Sequence, residues 1–380
     1  MKIALLSDCY PPRLGGIETQ VRDLGRQLAA AGHEVHVYTA TPESRPRLRL
    51  RNVTVAADSG VTVHRVTLPL PFALPVNPVA PSIIRDELRT FDVAHVHMGV
   101  VSPFAADMAN LALDLAVPTA ITWHCVLGEA AIAAHRRLGT AARWRARGAA
   151  LSGVSRMAGR LVGRAAGVDD GVGGDAIAVL PNGIDAASWR LDGMPPARDS
   201  GRVRVVAAMR FAPRKRVLAL LAMLDEVHDA DPDRVEGTVY GDGPLLAPAR
   251  LRPSSRDRGW LHLPGRVTRP ALAAAYAAAD VYLAPTRMEA FGIAALEART
   301  AGLPVVAIGS SGVADFITHD VNGLLAEDDA GLVAATRRLV AHDALRQRIR
   351  AHNLATPPAE DWSHIVECVL AEYRRAGATR

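Results

Sequence analysis

The sequence predicts an α/β fold in which two doubly wound parallel sheets, each in its own Rossmann-like domain, face each other across a cleft. Three observations predict it. The chain has 380 residues, too many for one domain of usual size. It is 49% apolar but only 4% aromatic, which suits buried parallel strands covered by helices of small residues. Strand-like runs also alternate with helical patterns along almost the whole chain.

The first domain is predicted to span residues 1–187. It opens with the strand-like run KIALLS (2–7), the turn PPRLGG, and a helical pattern of apolar residues that stops at Gly32. Five further runs have the composition of strands: EVHVYTA (34–40), VTVHRVTL (61–68), DVAHVHM (92–98), PTAITWH (118–124) and AIAVLPNGID (176–185).

The second domain is predicted to span residues 188–360 and to begin with a linker rich in Pro, Gly and polar residues (188–201). Its strand-like runs are RVRVVAAM (202–209), EGTVYGDG (236–243), WLHLPGRV (260–267), DVYLAPT (280–286) and LPVVAIG (303–309). Ile365, Val369 and Tyr373 have helical spacing, and this last helix (361–380) is expected to pack back on the first domain. Sheets of this kind bind ligands beyond the carboxyl ends of their strands.

The charge and the cysteine content bear on the possible binding partners and on the cellular compartment. The formal charge of +5 fits nucleic acid, an anionic membrane surface or an anionic small substrate, and does not choose among them. Cys9, Cys125 and Cys368 are odd in number and lack metal-ligand spacing, so we expect free thiols in a reducing compartment. The opening MKIALLSDCYPP does not read as a signal peptide, and no run is long enough to span a bilayer. A cytoplasmic protein is expected.

The stretch TRMEAFGIAALEA (286–298) carries the strongest chemical signal. Glu289 and Glu297 are eight positions apart, about 12 Å along a helix, so they are expected to address different parts of one ligand. A helix starting near Ile293 would direct first-turn N–H groups at an anion, for which phosphate is well suited. The pattern therefore predicts a ligand with a diphosphate in its middle and hydroxyl groups at both ends.

The segment E-A-F-G-I-x-x-L-E-A resembles the E-x7-E motif of retaining glycosyltransferases of the GT-B fold, family GT4. Other stretches follow that family's order: YPPRLGGIE (10–18), TWH (122–124), PNGID (181–185), MRFAPRKR (209–216), YGDGP (240–244) and PGRV (264–267). The resemblance covers nearly the whole chain. It implies transfer of a sugar from a nucleoside diphosphate sugar, such as a UDP- or GDP-sugar, to an acceptor hydroxyl. It further implies no metal and no cofactor, with the departing diphosphate taking the acceptor proton.

The resemblance also implies roles for individual residues of the second domain. Arg210 and Lys215 match the two cations that hold the donor diphosphate, an arrangement that electrostatics favours. Glu289 would bind hydroxyls of the donor sugar and Glu297 those of the ribose. The remaining matched positions divide between the sugar (Phe291 and Gly292), the phosphate (Ile293 and Ala294) and the nucleotide base (Arg266 and Val267).

In the first domain, the resemblance implies that Gly15 and Gly16 let the backbone approach the diphosphate, and that His124 lies near the reacting sugar and acceptor. One position departs from the family pattern. Arg216 follows the lysine where the family usually has Gly, and it is left out of the predicted site.

Three other features have competing interpretations. His95 and His97 alternate on one strand and suggest a weak metal pair without a third ligand. The sequence D-x-D-x-D (Asp229, Asp231 and Asp233) follows a helix pattern and is expected to be an exposed loop rather than a metal site. The Arg-rich segment 135–164 is either a solvated pair of helices or a peripheral contact with an anionic membrane.

Other functions compete with glycosyl transfer. A nucleotide-sugar 2-epimerase or hydrolase of the GT-B fold is the alternative among enzymes, and a two-lobed sugar-binding protein is the alternative without catalysis. A nicotinamide dehydrogenase is disfavoured because neither YPPRLGGIE nor GVGGDA fits G-x-G-x-x-G. No nucleic-acid partner is expected. The base, the sugar and the acceptor, whether lipid, polysaccharide precursor or small metabolite, stay open.

Overall fold

The computed structural model describes residues 1–13, 15–43, 52–68, 76–168, 177–190, 201–252 and 259–379. They form two compact units: the N-terminal unit comprises Met1–Gly183 and Trp362–Arg380, and the C-terminal unit comprises Ile184–Asp361. The first division falls a few residues before the predicted boundary at 187, and the last helix belongs to the N-terminal unit. Most of the predicted linker lies outside the described residues.

The described part of the N-terminal unit contains an eight-stranded sheet in the order β3-β4-β2-β1-β5-β6-β7-β8. Its strands are β1 (Lys2–Ser7), β2 (Glu34–Thr39), β3 (Asn52–Asp58), β4 (Val61–Thr67), β5 (Val93–Met98), β6 (Thr119–Trp123), β7 (Ala150–Gly153) and β8 (Ala178–Val179). The edge strand β3 is antiparallel to β4, and the other described pairings are parallel.

Both faces of this sheet are covered, which explains why its strands are nearly continuous apolar runs. In β1, Ala4 and Leu6 belong to one apolar core, whereas Ile3 and Leu5 belong to a second core on the opposite face. Six helices accompany these strands: α1 (Gly16–Ala30), α2 (Ala80–Leu88), α3 (Pro103–Asp114), α4 (Glu129–Leu138), α5 (Thr140–Ala146) and α6 (Arg156–Ala166).

The helix at the end of the chain completes the second of these cores. Its apolar residues Ile365, Val369 and Tyr373 are buried beside Ile3 and Leu5, as their spacing predicts. This last helix is α13 (Trp362–Arg375). The turn before the C-terminal unit packs against it, because a Cβ on Gly183 would lie 2.3 Å from the Trp362 ring.

The C-terminal unit contains a six-stranded sheet in the order β11-β10-β9-β12-β13-β14, with parallel pairings. The strands are β9 (Val203–Ala208), β10 (Val235–Tyr240), β11 (Leu261–Gly265), β12 (Val281–Ala284), β13 (Val305–Ile308) and β14 (Gly323–Ala326). The helices in its described ranges are α7 (Val217–Ala230), α8 (Leu246–Arg250), α9 (Arg269–Ala277), α10 (Ile293–Thr300), α11 (Asp329–Ala341) and α12 (Asp343–Ala355). The strand order reverses between β9 and β12, as in dinucleotide-binding folds.

Several strands differ from the sequence prediction. β3, β7 and β14 were not predicted, and the run 176–185 forms only the two-residue strand β8 within its described part. β3 is an edge strand with Val53 and Val55 exposed, so it lacks a buried apolar face. β7 and β14 are four residues long, shorter than a periodic pattern can reveal.

The Arg-rich segment 135–164 consists of helices around the buried strand β7 rather than a simple helix pair. Its apolar residues Trp144 and Val162 are buried in the core, and the Trp144 indole donates to Asn110 at 2.7 Å. This favours the solvated interpretation of the arginines. Membrane contact stays a prediction, and cosedimentation with anionic but not neutral vesicles is its test. No helix in the described ranges has the length and hydropathy needed to cross a bilayer.

Asp8 joins three elements of the N-terminal unit just after β1. Its Oδ1 accepts the N–H of Phe104 at 3.1 Å in the first turn of α3, and its carbonyl accepts the hydroxyls of Thr39 and Thr41. Burial raises the pKa of the Asp8 carboxyl to about 6, although hydrogen bonds from Ser102 and Phe104 act to lower it. The native state therefore favours the neutral form more than the unfolded chain does.

We predict that Asp8→Asn becomes more stable relative to the wild type as the pH rises from 4 to 7.5. A raised native pKa contributes stability below the unfolded value of 3.8 that is lost as the pH passes 6. Asparagine keeps an acceptor for Phe104 and never ionises, so the relative gain is up to about 3 kcal/mol. Urea unfolding at both pH values measures it, and an equal difference at both would contradict the prediction.

Candidate active site

The candidate site of the C-terminal unit lies where the strand order reverses. β9 and β12 are parallel neighbours, so the loops that follow them leave the same edge of the sheet side by side. Residues 209–216 follow β9, and residues 285–292 follow β12 and lead into α10. Such a switch point is where open α/β sheets bind their ligands. It brings together the two segments that the sequence singled out separately.

Glycines of the next loop hold the 209–216 segment in place. A Cβ on Gly241 would lie 1.8 Å from the Met209 carbonyl oxygen, and one on Gly243 would lie 2.6 Å from that of Phe211. The Phe211 N–H donates to the Asp242 carbonyl at 2.9 Å. The YGDGP turn therefore supports the cation-bearing loop through backbone contacts that leave no space for side chains.

Arg216 explains the departure from the family pattern. Its backbone is left-handed, with φ 59°, a conformation that glycine adopts at little cost and other residues do not. Its guanidinium bonds both carboxylate oxygens of Asp329, at 2.9 and 2.5 Å, and the Pro285 carbonyl at 2.9 Å. These bonds offset the strained backbone and join the loops after β9 and β12. Arg216 thus has a structural role, consistent with leaving it out of the site.

Lys215 and Glu289 form the central contact of the site. The Lys215 Nζ lies 2.6 Å from the Glu289 Oε2, with side chains 26% and 21% exposed. The cation expected at the diphosphate and the carboxylate expected at the sugar therefore pair directly across the switch point. Both keep a solvent-accessible side, so a ligand can reach either charge.

The start of α10 lies beside this pair. Gly292 is left-handed, with φ 95°, and its carbonyl accepts the N–H groups of Ala295 and Leu296. The N–H groups of Ile293 and Ala294 belong to the first turn, which has no acceptors inside the helix. The Phe291 ring is buried against Phe316, with centroids 5.4 Å apart, so the Phe291 side chain faces the core. Phe291 and Gly292 can therefore offer a ligand only backbone groups.

A second close approach fixes the loop before α10. The Gly312 N–H donates to the Glu289 carbonyl at 2.8 Å, and a Cβ on Gly312 would lie 2.1 Å from the Ala290 oxygen. The backbone that carries Glu289 is thus held from behind by the loop after β13.

Glu297 is in a different environment from Glu289. It is 8% exposed and lies near two buried tyrosines, Tyr276 and Tyr282, whose rings meet edge to face at 5.6 Å. Burial is the largest cause that raises the pKa of both tyrosines, and the Glu297 carboxylate adds to it. The Tyr282 hydroxyl donates to the Ala208 carbonyl at the end of β9. Ribose binding by Glu297 stays a prediction.

The remaining predicted residues of this unit follow strands at the same edge. Arg210 follows β9 and is exposed. Arg266 and Val267 follow β11; Arg266 is exposed and Val267 is partly buried. The Gly241 N–H donates to the Gly265 carbonyl at 2.9 Å, which joins the loops after β10 and β11. Binding of the base and of the diphosphate by these residues stays a prediction.

In the N-terminal unit, Gly15 and Gly16 lie at the start of α1, after β1, while Leu14 lies outside the described residues. A Cβ on Gly15 would lie 2.3 Å from a carboxylate oxygen of Glu18, which in turn pairs with Arg13 at 3.2 Å. A side chain at Gly15 would therefore have to displace the flexible end of Glu18, and the approach of a ligand to this backbone stays a prediction.

His124 lies in the middle of a hydrogen-bonded chain that the sequence did not predict. Its Nδ1 lies 3.1 Å from Asn182 Oδ1, and its Nε2 lies 3.0 Å from His97 Nδ1. Because the amide oxygen only accepts, Nδ1 carries the proton and His97 donates to Nε2. Burial lowers the pKa of His124 to about 4, which keeps it neutral. Both ring nitrogens are thus engaged within this unit.

His95 lies beside His97, with ring centroids 4.1 Å apart, and the weak metal pair of His95 and His97 stays a prediction. The ring nitrogens of His95 lie 2.8 Å from the Thr122 hydroxyl and 3.1 Å from the Tyr373 hydroxyl. The signal for these partners was present in the sequence as H-x-H on β5, T-x-H at β6 and the Asn of PNGID. Their bonds become visible only when β5 and β6 are paired.

Comparisons with known proteins identify the family of the chain. The model of Glycosyltransferase Family 4 matches residues 14–188, and that of Glycosyl transferases group 1 matches residues 202–342. A D-inositol 3-phosphate glycosyltransferase of Frankia alni is 28% identical, covering 95% of each chain. A GDP-mannose-dependent alpha-(1-6)-phosphatidylinositol monomannoside mannosyltransferase of Mycobacterium tuberculosis is also 28% identical, covering 86% of this chain and 85% of its own.

Solved structures share the fold at low identity. Anabaena HepE, in complex with UDP, is similar with a TM-score of 0.71 and 18% identity over 98% of this chain and 99% of its own. The trehalose-6-phosphate synthase OtsA is similar with a TM-score of 0.74 and 13% identity over 98% of this chain and 99% of its own. The two units thus have the GT-B fold. The family models and the curated relatives show that the protein is a glycosyltransferase.

Within that class the family follows from the two matched models, one for each half of the chain. The protein belongs to glycosyltransferase family 4.

We predict that Gly312→Ala destabilises the C-terminal unit by about 1–3 kcal/mol, because its Cβ must displace the Ala290 carbonyl and the loop that carries Glu289. Gly309→Ala is the matched control, since its nearest neighbour, the Leu325 Cβ, lies at an ordinary 3.5 Å. Urea unfolding of the two variants measures the difference. Equal stabilities would show that the approach of Gly312 to the 289–292 loop is not required.

Proposed function

We propose that this protein is a retaining, metal-independent glycosyltransferase that moves a sugar from a UDP- or GDP-sugar to an acceptor hydroxyl. The observation that carries the proposal is the 2.6 Å contact of Lys215 with Glu289 at the switch point, beside the start of α10. A cation and a helix N-terminus suit a diphosphate, and a carboxylate beside them suits sugar hydroxyls.

The leaving diphosphate gains negative charge as the sugar departs. Lys215, the first-turn N–H groups of α10 and the exposed Arg210 would stabilise that charge where it develops. Named relatives support a nucleoside diphosphate donor: HepE has been solved with UDP and with UDP-glucose, and the mycobacterial mannosyltransferase depends on GDP-mannose.

Retention is proposed to proceed on one face of the sugar. The charge of Glu289 is balanced by Lys215, which favours binding of hydroxyls over attack on the anomeric carbon. The acceptor oxygen then forms the new bond on the face from which the diphosphate leaves, and a diphosphate oxygen takes the acceptor proton. The enzyme's contribution is to position the donor and stabilise the leaving group.

Metal independence is supported by the location of the D-x-D-x-D carboxylates. Asp229 lies in the last turn of α7, and Asp231 and Asp233 lie between α7 and β10. They are therefore at the amino edge of the sheet, opposite the loops that carry Lys215 and Glu289. Such carboxylates are poorly placed to hold a metal on a diphosphate at the switch point.

An inositol phosphate or a phosphoinositide is the acceptor class that the relatives favour, because both the Frankia and the mycobacterial enzymes carry inositol in their names. The alternative reaction is that of a nucleotide-sugar 2-epimerase or hydrolase, in which water replaces the acceptor. A thermal-shift panel of UDP-, GDP- and ADP-sugars identifies the donor. A panel of inositol phosphates with that donor then tests the acceptor.

We predict that Lys215→Ala lowers kcat by about 10²–10³-fold, because one charge that stabilises the leaving diphosphate is lost. Its effect on unfolding should stay within about 1 kcal/mol, since the ion pair is partly exposed. Arg214→Ala is the matched control because it removes the same charge from an exposed neighbour in the same short helical turn. If Lys215→Ala and Arg214→Ala lower kcat equally, the proposed role of Lys215 is refuted.

We predict that the glycosidic bond of the product has the anomeric configuration of the donor. Proton NMR of the product formed from a labelled donor measures it. An inverted product would refute same-face transfer, and label recovered only as an altered or free sugar in the presence of acceptor would support the epimerase or hydrolase.

A further inference from the structure

Within the described ranges, three potential metal-ligand side chains converge at one place, and they lie in the N-terminal unit. His36 is on β2, His64 is on the adjacent strand β4, and Glu87 is in the last turn of α2. The three ligand atoms are His36 Nδ1, His64 Nε2 and Glu87 Oε1. None of these residues belongs to the sites described above.

We propose that His36, His64 and Glu87 bind a divalent zinc ion. The ligand atoms form a triangle, with 2.9 Å between the two nitrogens and 3.8 Å from each nitrogen to the carboxylate oxygen. The centre of that triangle lies about 2.1 Å from all three atoms, which matches zinc distances of roughly 2.0–2.2 Å to nitrogen and oxygen. The three distances therefore suit zinc, and rotation of the partly exposed Glu87 side chain would adjust the angles around the ion.

The surroundings of His36 match those of a zinc-binding histidine. Its other nitrogen, Nε2, lies 3.0 Å from the carboxylate of Glu34, and Lys2 lies 3.6 Å from the same oxygen. A carboxylate that accepts the second N–H of an imidazole fixes the tautomer with Nδ1 free to bind metal. In the absence of metal, His64 Nε2–H then donates to His36 Nδ1, so metal binding requires only that the His64 proton move to its other nitrogen.

The site is rigid on one side and open on the other. The side chains of His36 and His64 are 13% and 10% exposed, and the rings are stacked with centroids 5.1 Å apart. Tyr38 stacks on His64 at 4.4 Å, and Phe91 meets His36 edge to face at 5.1 Å. Glu87 is 41% exposed, so a metal held here can take a water as its fourth ligand.

The chemistry of the ligands selects the ion. Two imidazoles and one carboxylate suit zinc and other late first-row metals, whereas calcium and magnesium prefer oxygen ligands alone. Bound zinc would join β2, β4 and α2, and its role would be to stabilise this edge of the sheet. Its three ligands all belong to the N-terminal unit, so the proposal leaves metal-independent transfer by the residues of the C-terminal unit unchanged.

The test is titration of the chelator-treated, full-length protein with zinc chloride against a chromophoric competitor. One equivalent should bind, and His36→Ala and Glu87→Gln should each weaken binding at least tenfold. Glu34→Ala should weaken it 10–100-fold, about the range for a group that orients a ligand. His262→Ala is the matched control, because His262 also lies near a carboxylate, Glu236 at 3.6 Å, but outside the cluster.

A second measurement separates a built site from surface binding. Cobalt(II) should give the intense visible bands of a four- or five-coordinate ion in the wild type and in His262→Ala, and these should be lost in Glu87→Gln. Circular dichroism of the metal-free variants shows that they are folded. The proposal is overturned if the wild type binds no zinc, or if Glu87→Gln and His36→Ala bind it as tightly as the wild type does.

Discussion

The contact between Lys215 and Glu289 depends on one topological fact, the adjacency of β9 and β12. The two strands are separated by about seventy residues of chain, yet their carboxyl ends meet because the strand order reverses between them. The loops that follow neighbouring parallel strands leave the sheet at the same edge. A lysine after β9 and a glutamate after β12 are therefore brought close together by the strand order itself. The start of α10 lies beside the pair because that helix follows the β12 loop.

Backbone crowding keeps this arrangement in place. Gly241, Gly243 and Gly312 each bring a loop so close to its neighbour that a Cβ would lie within 2.6 Å of a carbonyl oxygen. Arg216 also holds its loop in place, but through side-chain bonds rather than through close backbone packing. It accepts a left-handed backbone and secures the loop with its bidentate bond to Asp329, where a glycine would supply the conformation and no side chain. These contacts hold the loops at this edge together, as a site with fixed functional groups requires.

Much of this was predictable from the sequence, and the exceptions have physical causes. Strands buried on both faces, such as β1, are continuous apolar runs and were found, whereas the half-exposed edge strand β3 was not. The helix start predicted near Ile293 placed Glu289 in the preceding loop, and the family resemblance singled out Lys215, but the pairing of the two required the neighbour relation of β9 and β12. The same is true of His124 with His97, and of His36 with His64, since each pair joins adjacent strands. Arg216 was recognised as unusual, yet its backbone angle cannot be read from its type.

The ion pair also bears on which ligands the site accepts. In the free protein each of Lys215 and Glu289 satisfies the other, and because both are partly exposed the pair itself contributes little stability. A ligand that binds only Lys215, such as a free diphosphate, would leave the Glu289 carboxylate unpaired and close to the negative charge of the ligand. Under the proposed function, a complete nucleoside diphosphate sugar would supply phosphate oxygens to Lys215 and hydroxyl donors to Glu289 at once. Because unpaired charges become more costly as water is excluded, the pair would then favour the intact donor over its fragments.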